Sequence, residues 1–328
     1  LSGILQLMFN AVDIVVVGRF SGSQALAAVG STTALINVFT NLFIGISLGA
    51  NVLAARFFAA GKSKEMSDTV HTSVTLALIS GVVMAFVGLI FSRGALELMG
   101  TPADVIGQSA LYMKIYFLGM PFFMLYNYGA AILRAVGDTK RPLIFLVVSG
   151  VVNAILNMIL VIIFHLDVAG VAIATVISQM ISCILVIRCL CNSQTSYQLY
   201  FSKLRINKDY LKQIFQVGIP AGIQSTVINF SNALLQSSVN SFGSIAMAGY
   251  TAANNIFGFL YVAVNSVTQA CMSFTSQNYG VRKFKRMDKV LIDCIIISVV
   301  TALTLGCSAC FFGPELLKIY TKDTDVIR

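Results

Sequence analysis

Seven stretches of this chain contain no Asp, Glu, Lys or Arg, and their lengths decide the solvent in which it folds. They are residues 20–55, 69–92, 115–133, 142–166, 168–187, 213–281 and 294–314. A helix that crosses a bilayer needs about 20 mainly apolar residues. Most of these runs therefore hold one span, and 213–281 holds two, hinged at the polar turn Asn240-Ser-Phe-Gly-Ser244. With the opening segment added, nine spans are expected: 1–18, 31–55, 71–92, 111–133, 143–164, 169–188, 213–240, 246–277 and 290–313. The composition agrees, because 11% of residues are charged against about 25% in a soluble domain. The expected fold class is all-α integral membrane, which excludes a soluble or nucleic-acid-binding protein.

The net charge of +9 follows the topology of these spans. Sixteen Lys and Arg fall in the loops after spans two, four, six and eight, among them Arg56, Lys140, Arg205 and Lys283, and six fall on the opposite side. The positive-inside rule then puts those basic loops and the N-terminus in the cytoplasm of a bacterial-type plasma (inner) membrane. Membrane lipids, rather than nucleic acid, are the expected partner of that basic rim. The seven cysteines make no disulfide framework: five lie in spans, and Cys189 and Cys191 sit at a reducing cytoplasmic end. Residue 1 is a Leu already in helical sequence without a basic leader, so 1–18 reads as the outer part of a truncated first span.

An internal repeat organises the spans. Gln6, Asn10 and Asp13 of span one return as Ser225, Asn229 and Asn232 of span seven, each 219 residues later. Each group is followed by a Gly-containing turn and a long span, ending at Ala60-Gly-Lys62 in one copy and Tyr279-Gly280 in the other. Six spans lie between the copies, so they share an orientation, the parallel arrangement known among transporters. The expected organisation is an N-lobe (1–192), an interlobe linker (193–212) with some amphipathic helix, and a partial C-lobe (213–328). Two six-span lobes imply twelve spans, nine of them present here.

Ionisable groups inside a membrane are costly and mark function by default. Asp13 is the one acid well inside an expected span. Asn157 and Thr175 lie at its depth, roughly 8–10 Å below the outer boundary at about 1.5 Å per residue. Asn153 is one turn deeper on the same helix face as Asn157. Together they form an oxygen set suited to a hard monovalent cation or a carried proton; taken singly, such an Asn or Thr more often joins helices by hydrogen bonds. Ser225, Asn229, Asn232, Gln236 and Asn240 trace a polar stripe along span seven, and Asn254, Tyr261, Asn265 and Gln269 a similar one on span eight. With Asn10 these line either a wet substrate cavity or a packed interlobe seam. Pro121 and Pro220 are candidate hinges. There is no nucleotide-binding motif: residue 56, where the phosphate loop ending at Gly61-Lys62-Ser63 would need its first Gly, is Arg. The energy for transport then comes from an ion gradient or a partner. No enzyme chemistry and no cofactor are expected.

Several of these segments, in this order, resemble the multidrug and toxic compound extrusion (MATE) family along essentially the whole chain. They are Asn10-Ala-Val-Asp13 with Val17-Gly-Arg19, Leu133-Arg-Ala-Val-Gly-Asp-Thr-Lys-Arg-Pro142, Val152-Asn-Ala-Ile-Leu-Asn157, Gly170-Val-Ala-Ile-Ala-Thr175 and Gly218-Ile-Pro220. The resemblance implies twelve spans in two lobes, alternating access, and H⁺- or Na⁺-coupled export of small, mostly cationic compounds by a monomer. It also implies an N-lobe cation site at Asp13, Asn153, Asn157 and Thr175. Some members carry Asp where this chain has Asn157, so one negative charge stands here in place of two. The rival architecture is a lipid-linked oligosaccharide flippase. It needs cationic groups for a pyrophosphate, and spans one, seven and eight supply none. A channel or receptor is a further alternative, against which the repeat and the single-lobe acid argue.

Overall fold

The structure, a computed structural model, describes residues 5, 13, 16, 17, 20–99, 101, 105–240, 244–313 and 315. The side chains at 22–24, 26, 27, 31, 34, 230, 233, 234, 236, 237, 239, 240, 244–249, 251, 252, 255 and 256 lie outside that description.

Every element in it is helical: α1 (Gly22–Ala59), α2 (Ser63–Leu98), α3 (Ile106–Leu118), α4 (Met120–Ala135), α5 (Lys140–Asn157), a π-helical stretch (Met158–Ile163), α6 (Asp167–Cys191), a 3₁₀ turn (Phe201–Lys203), α7 (Lys208–Asn240), α8 (Ser244–Gly280) and α9 (Phe284–Phe311). The helices follow the uncharged runs because, in hydrocarbon, a helix satisfies its backbone polar groups within its own segment. Among the described residues six helices are long and apolar enough to cross a membrane, or seven if α3 and α4 count as one broken span. That is fewer than the nine expected. Most of 1–18 falls outside the described residues, and the amides and hydroxyls of α7 hold its hydropathy too low.

The helix stops next to the basic loops share one device. At α1, Lys62 N–H bonds Phe57 O and Gly61 N–H bonds Phe58 O; at α4, Asp138 bonds Leu133 O and Gly137 bonds Arg134 O. Both glycines have positive φ, +68° and +91°, as this C-terminal cap requires. The stop of α8 repeats the pattern with Arg282 at φ 55°. The repeat read from the sequence paired Gly61 with Gly280, whereas the residue with the equivalent capping role is Arg282. Gly280 has a different reason to be small: a Cβ there would run into the Arg56 carbonyl.

The two prolines behave differently. α3 and α4 meet at Gly119 with a 48° bend, and Pro121 sits in the first turn of α4, where its missing N–H leaves no gap in the ladder. Pro220 lies inside α7, which continues through it.

α1 is the hub, packing on α2, α3, α4, α6, α7 and α8, while α9 packs chiefly on α8. Bulky apolar side chains point outward along α2 (Val83, Phe86, Ile90), α5 (Val148, Val151, Ile155) and α9 (Ile292, Ile296, Val300). Such bands suit lipid.

The linker is shorter than expected, since α7 begins at Lys208, and its 3₁₀ turn takes the place of an amphipathic helix. It is fastened to α2 instead. Arg205 pairs with Asp68 at 2.7 Å, Tyr200 N–H donates to His71 Nε2 at 3.1 Å, and Asn207 N–H donates to Thr72 Oγ1 at 3.2 Å. His71 Nδ1, 2.6 Å from Ser67 O, is then the donor nitrogen of a neutral ring. The linker therefore rides with the N-terminal bundle.

Candidate cation-binding site

The usual pattern of a helix surface is inverted on α5. Ser149, Gly150, Asn153 and Asn157 are buried, while Val148, Val151, Ile155 and Met158 are exposed. A helix in lipid turns its polar side toward other helices, because an unpaired amide in hydrocarbon is expensive. Asn153 and Asn157, four residues apart, thus point together into the bundle. Asn157 is also the last α-helical residue before the π-helical stretch. Such widened turns often mark functional sites.

Asp13 meets them there. Asn157 Nδ2 donates to Asp13 Oδ1 and to Asn153 Oδ1 at 3.1 Å. Asn153 Nδ2 approaches Thr175 Oγ1 at 3.5 Å, and the Thr175 hydroxyl donates to Val171 O at 2.9 Å while facing the Asp13 carboxyl. All four residues expected from the sequence are therefore brought together from three segments. Asp13 is 9%, Asn153 4% and Asn157 0% exposed.

Charge completes the picture. The ion pairs among the described residues are Lys62–Glu65, Arg93–Glu97, Arg141–Asp138 and Arg205–Asp68, so none of the described Lys or Arg neutralises Asp13. Asn157 Oδ1 is buried without a hydrogen-bond donor. A lone carboxylate beside an unused amide oxygen is an acceptor-rich pocket that a monovalent cation or a proton would neutralise.

Sequence reasoning missed three neighbours. Tyr112 and Tyr116 of α3 lie within electrostatic reach of Asp13, and Gln179 of α6 faces Tyr116. Gln179 Oε1 is a second buried acceptor without a donor. Spacing held the signal: Gln179 is four residues after Thr175 on one face of α6, and the two tyrosines are four apart on α3.

The family model described as MatE matches residues 1–159 and 220–328. This chain belongs to the MATE family. Among the relatives of this MATE chain, the probable multidrug resistance protein YoeA of Bacillus subtilis is 31% identical over 336 residues, covering 100% of this chain and 72% of YoeA. The multidrug export protein MepA of Staphylococcus aureus is 22% identical, covering 99% of this chain and 72% of its own. In fold the chain matches an outward-facing multidrug resistance MATE transporter with a TM-score of 0.90, 22% identity and coverage of 99% and 73%. It matches a MOP superfamily transporter from Pyrococcus furiosus with a TM-score of 0.90, 23% identity and the same coverage. The MATE chain is a multi-pass membrane efflux transporter.

The expected cavity residues of this MATE transporter are placed less tightly than the cation set. On α7, Ser225 Oγ bonds Ala221 O at 3.1 Å and Asn229 Nδ2 bonds Ser225 O at 2.9 Å, so both side chains rest on their own helix. Asn232 is exposed. On α8, Asn254 and Tyr261 are exposed. Gln269 Nε2 donates to Asn265 Oδ1 at 3.2 Å and Asn265 Nδ2 to Tyr261 Oη at 3.4 Å, a ladder along one face. Asn10 and the Gln236 side chain lie outside the described residues.

Proposed function

We propose that this transporter exports small amphipathic or cationic compounds from the cytoplasm by antiport against H⁺ or Na⁺, with the ion bound at Asp13. The observation that carries this reading is the buried Asp13 carboxyl, without a cationic partner among the described residues and set beside the unused Asn157 Oδ1. Asn153 and Thr175 orient the amide, and Tyr112, Tyr116 and Gln179 form the remaining wall. The names of YoeA and MepA supply the substrate class. The loop charges support a bacterial inner membrane location with the basic end of the helices and the N-terminus on the cytoplasmic side. The internal repeat supports two lobes of six spans as the complete architecture.

In this scheme an ion entering from outside neutralises Asp13, favours the inward-open arrangement, and so returns the carrier after it has released its drug. A ligand shifts such an equilibrium only by its differential affinity for the two states. A monovalent cation falling through 100 mV releases roughly 2.3 kcal/mol, and a tenfold gradient adds about 1.4 kcal/mol. Their sum sustains a gradient of a neutral substrate of roughly a few hundredfold. The amide ladder of α8, with the exposed Asn232 of α7, makes a polar surface on which such a guest can rest.

The test is efflux of a fluorescent lipophilic cation from proteoliposomes under an imposed pH or Na⁺ gradient. Efflux should quicken under one of the two and slow when an ionophore collapses it. Efflux indifferent to both gradients would refute ion coupling.

A further inference from the structure

Among the described residues, the close approaches between α1 and the pair α7–α8 concentrate toward the ends that carry the basic loops. α1 crosses α7 where Gly45-Ile-Ser-Leu-Gly49 meets Gly218-Ile-Pro-Ala-Gly222. A Cβ on Gly45 would strike Gly222, one on Gly218 would strike Ile46, and one on Gly222 would strike Leu42. Paired small residues at this spacing let two helix backbones touch.

Nearer the basic loops, polar side chains take over. Asn51, 3% exposed, donates from Nδ2 to Ala131 O of α4 at 2.7 Å and accepts at Oδ1 from Ser273 Oγ of α8 at 3.0 Å. One buried amide thus ties three helices. Gln277 Nε2 of α8 donates to Ala135 O at 2.7 Å. Ala135 is the last residue of α4, so this carbonyl has no partner in its own helix. Its cap comes from the other side of the interface. Gly280 lies against the Arg56 carbonyl, and the Arg56 guanidinium stands 5.0 Å from the centre of the Tyr279 ring. Ser273, Ser276, Gln277 and Gly280 share one helix face. Ser276, at 8% exposed, is the one buried residue among those described on α8.

We propose that this face is a gate closing the transporter at its basic end, with Asn51 and Gln277 as the positioning residues that hold it shut. The proposal rests on the alternating-access reading above and deepens it, naming the contacts that must break before the central cleft opens toward those loops. The bonds that cross the interface, Ser273 Oγ to Asn51 Oδ1 and Gln277 Nε2 to Ala135 O, end on oxygens that water can satisfy once the helices part, so the hold is reversible. The glycine crossing has no such substitute and acts as the pivot.

The experiment introduces Ser276→Cys as a reporter, treats inside-out vesicles with a membrane-impermeant maleimide, and quantifies labelling at position 276 by peptide mass spectrometry. The native cysteines then do not interfere, and neither substrate nor ion gradient is needed. Failure of ion-coupled efflux therefore stays distinguishable from failure of the gate. Adding Asn51→Leu with Gln277→Leu should raise the labelling rate about tenfold, since each lost hydrogen bond shifts the equilibrium severalfold. Gly280→Ala, which wedges the same face without removing a polar group, should move the rate in the same direction, and a melting curve for each variant establishes that it is folded. Labelling within about twofold of the parent in the folded double variant overturns the assignment of Asn51 and Gln277, even if Gly280→Ala opens the face. Protection lost only on unfolding overturns the gate altogether.

Discussion

Asp13→Asn is expected to reduce gradient-driven efflux to the passive leak while leaving the fold intact. The substitution keeps the shape of the side chain and its capacity to accept from Asn157 Nδ2, and removes only the charge. Burying an unpaired carboxylate is costly, so the melting temperature in detergent should hold or rise. That combination separates a functional charge from a structural one. Had Asp13 served to join helices, a neutral isostere would preserve transport. Efflux that responds to the gradient in Asp13→Asn as it does in the parent would remove the carboxylate from the mechanism.

The largest stability effect is expected on α2. A Cβ at Gly81 would collide with the backbone of Pro121, and one at Gly88 with the Phe117 ring. These two glycines receive the broken span on either side of Gly119. Gly81→Val sets a branched side chain against backbone that cannot rotate away, and should cost about 3 kcal/mol or more. Gly94→Val on the same helix is the control, because nothing lies within 4 Å of a Cβ there. Thermal unfolding in detergent should fall by several degrees for Gly81→Val and stay near the parent for Gly94→Val, as such small-to-large effects depend on local space. Equal midpoints for the two would refute the close-packed crossing.

The part of the fold set by solvent was legible from the sequence. Uncharged runs give helices wherever the bilayer is the medium, and α7 ends at Asn240 and α8 begins at Ser244, on either side of the polar segment expected to divide them. The cation set was legible for a related reason. An acid and amides at one depth have few neighbours that tolerate them except each other, so Asp13, Asn153, Asn157 and Thr175 converge. What the sequence hid depends on contact. Tyr112 and Tyr116 read as ordinary aromatic residues of an apolar span, and only packing brings them within reach of the acid. The linker looked amphipathic from its composition, but its polar groups are spent on Asp68, His71 and Thr72 of α2 rather than on a helix of its own. Gly280 ends α8 as the repeat suggests, but the positive-φ residue of that stop is Arg282, and Gly280 is small because α1 passes against it.

In the proposed antiport, ion and substrate movements are linked through one buried carboxylate. The most direct measurement imposes only an outward substrate gradient on proteoliposomes, with no ion gradient and the voltage clamped, and follows internal pH and Na⁺ with trapped indicators. H⁺ or Na⁺ is expected to move in as substrate leaves, and this movement is expected to be absent in Asp13→Asn. Substrate leaving with no ion moving, or ion movement that persists in Asp13→Asn, would contradict that link.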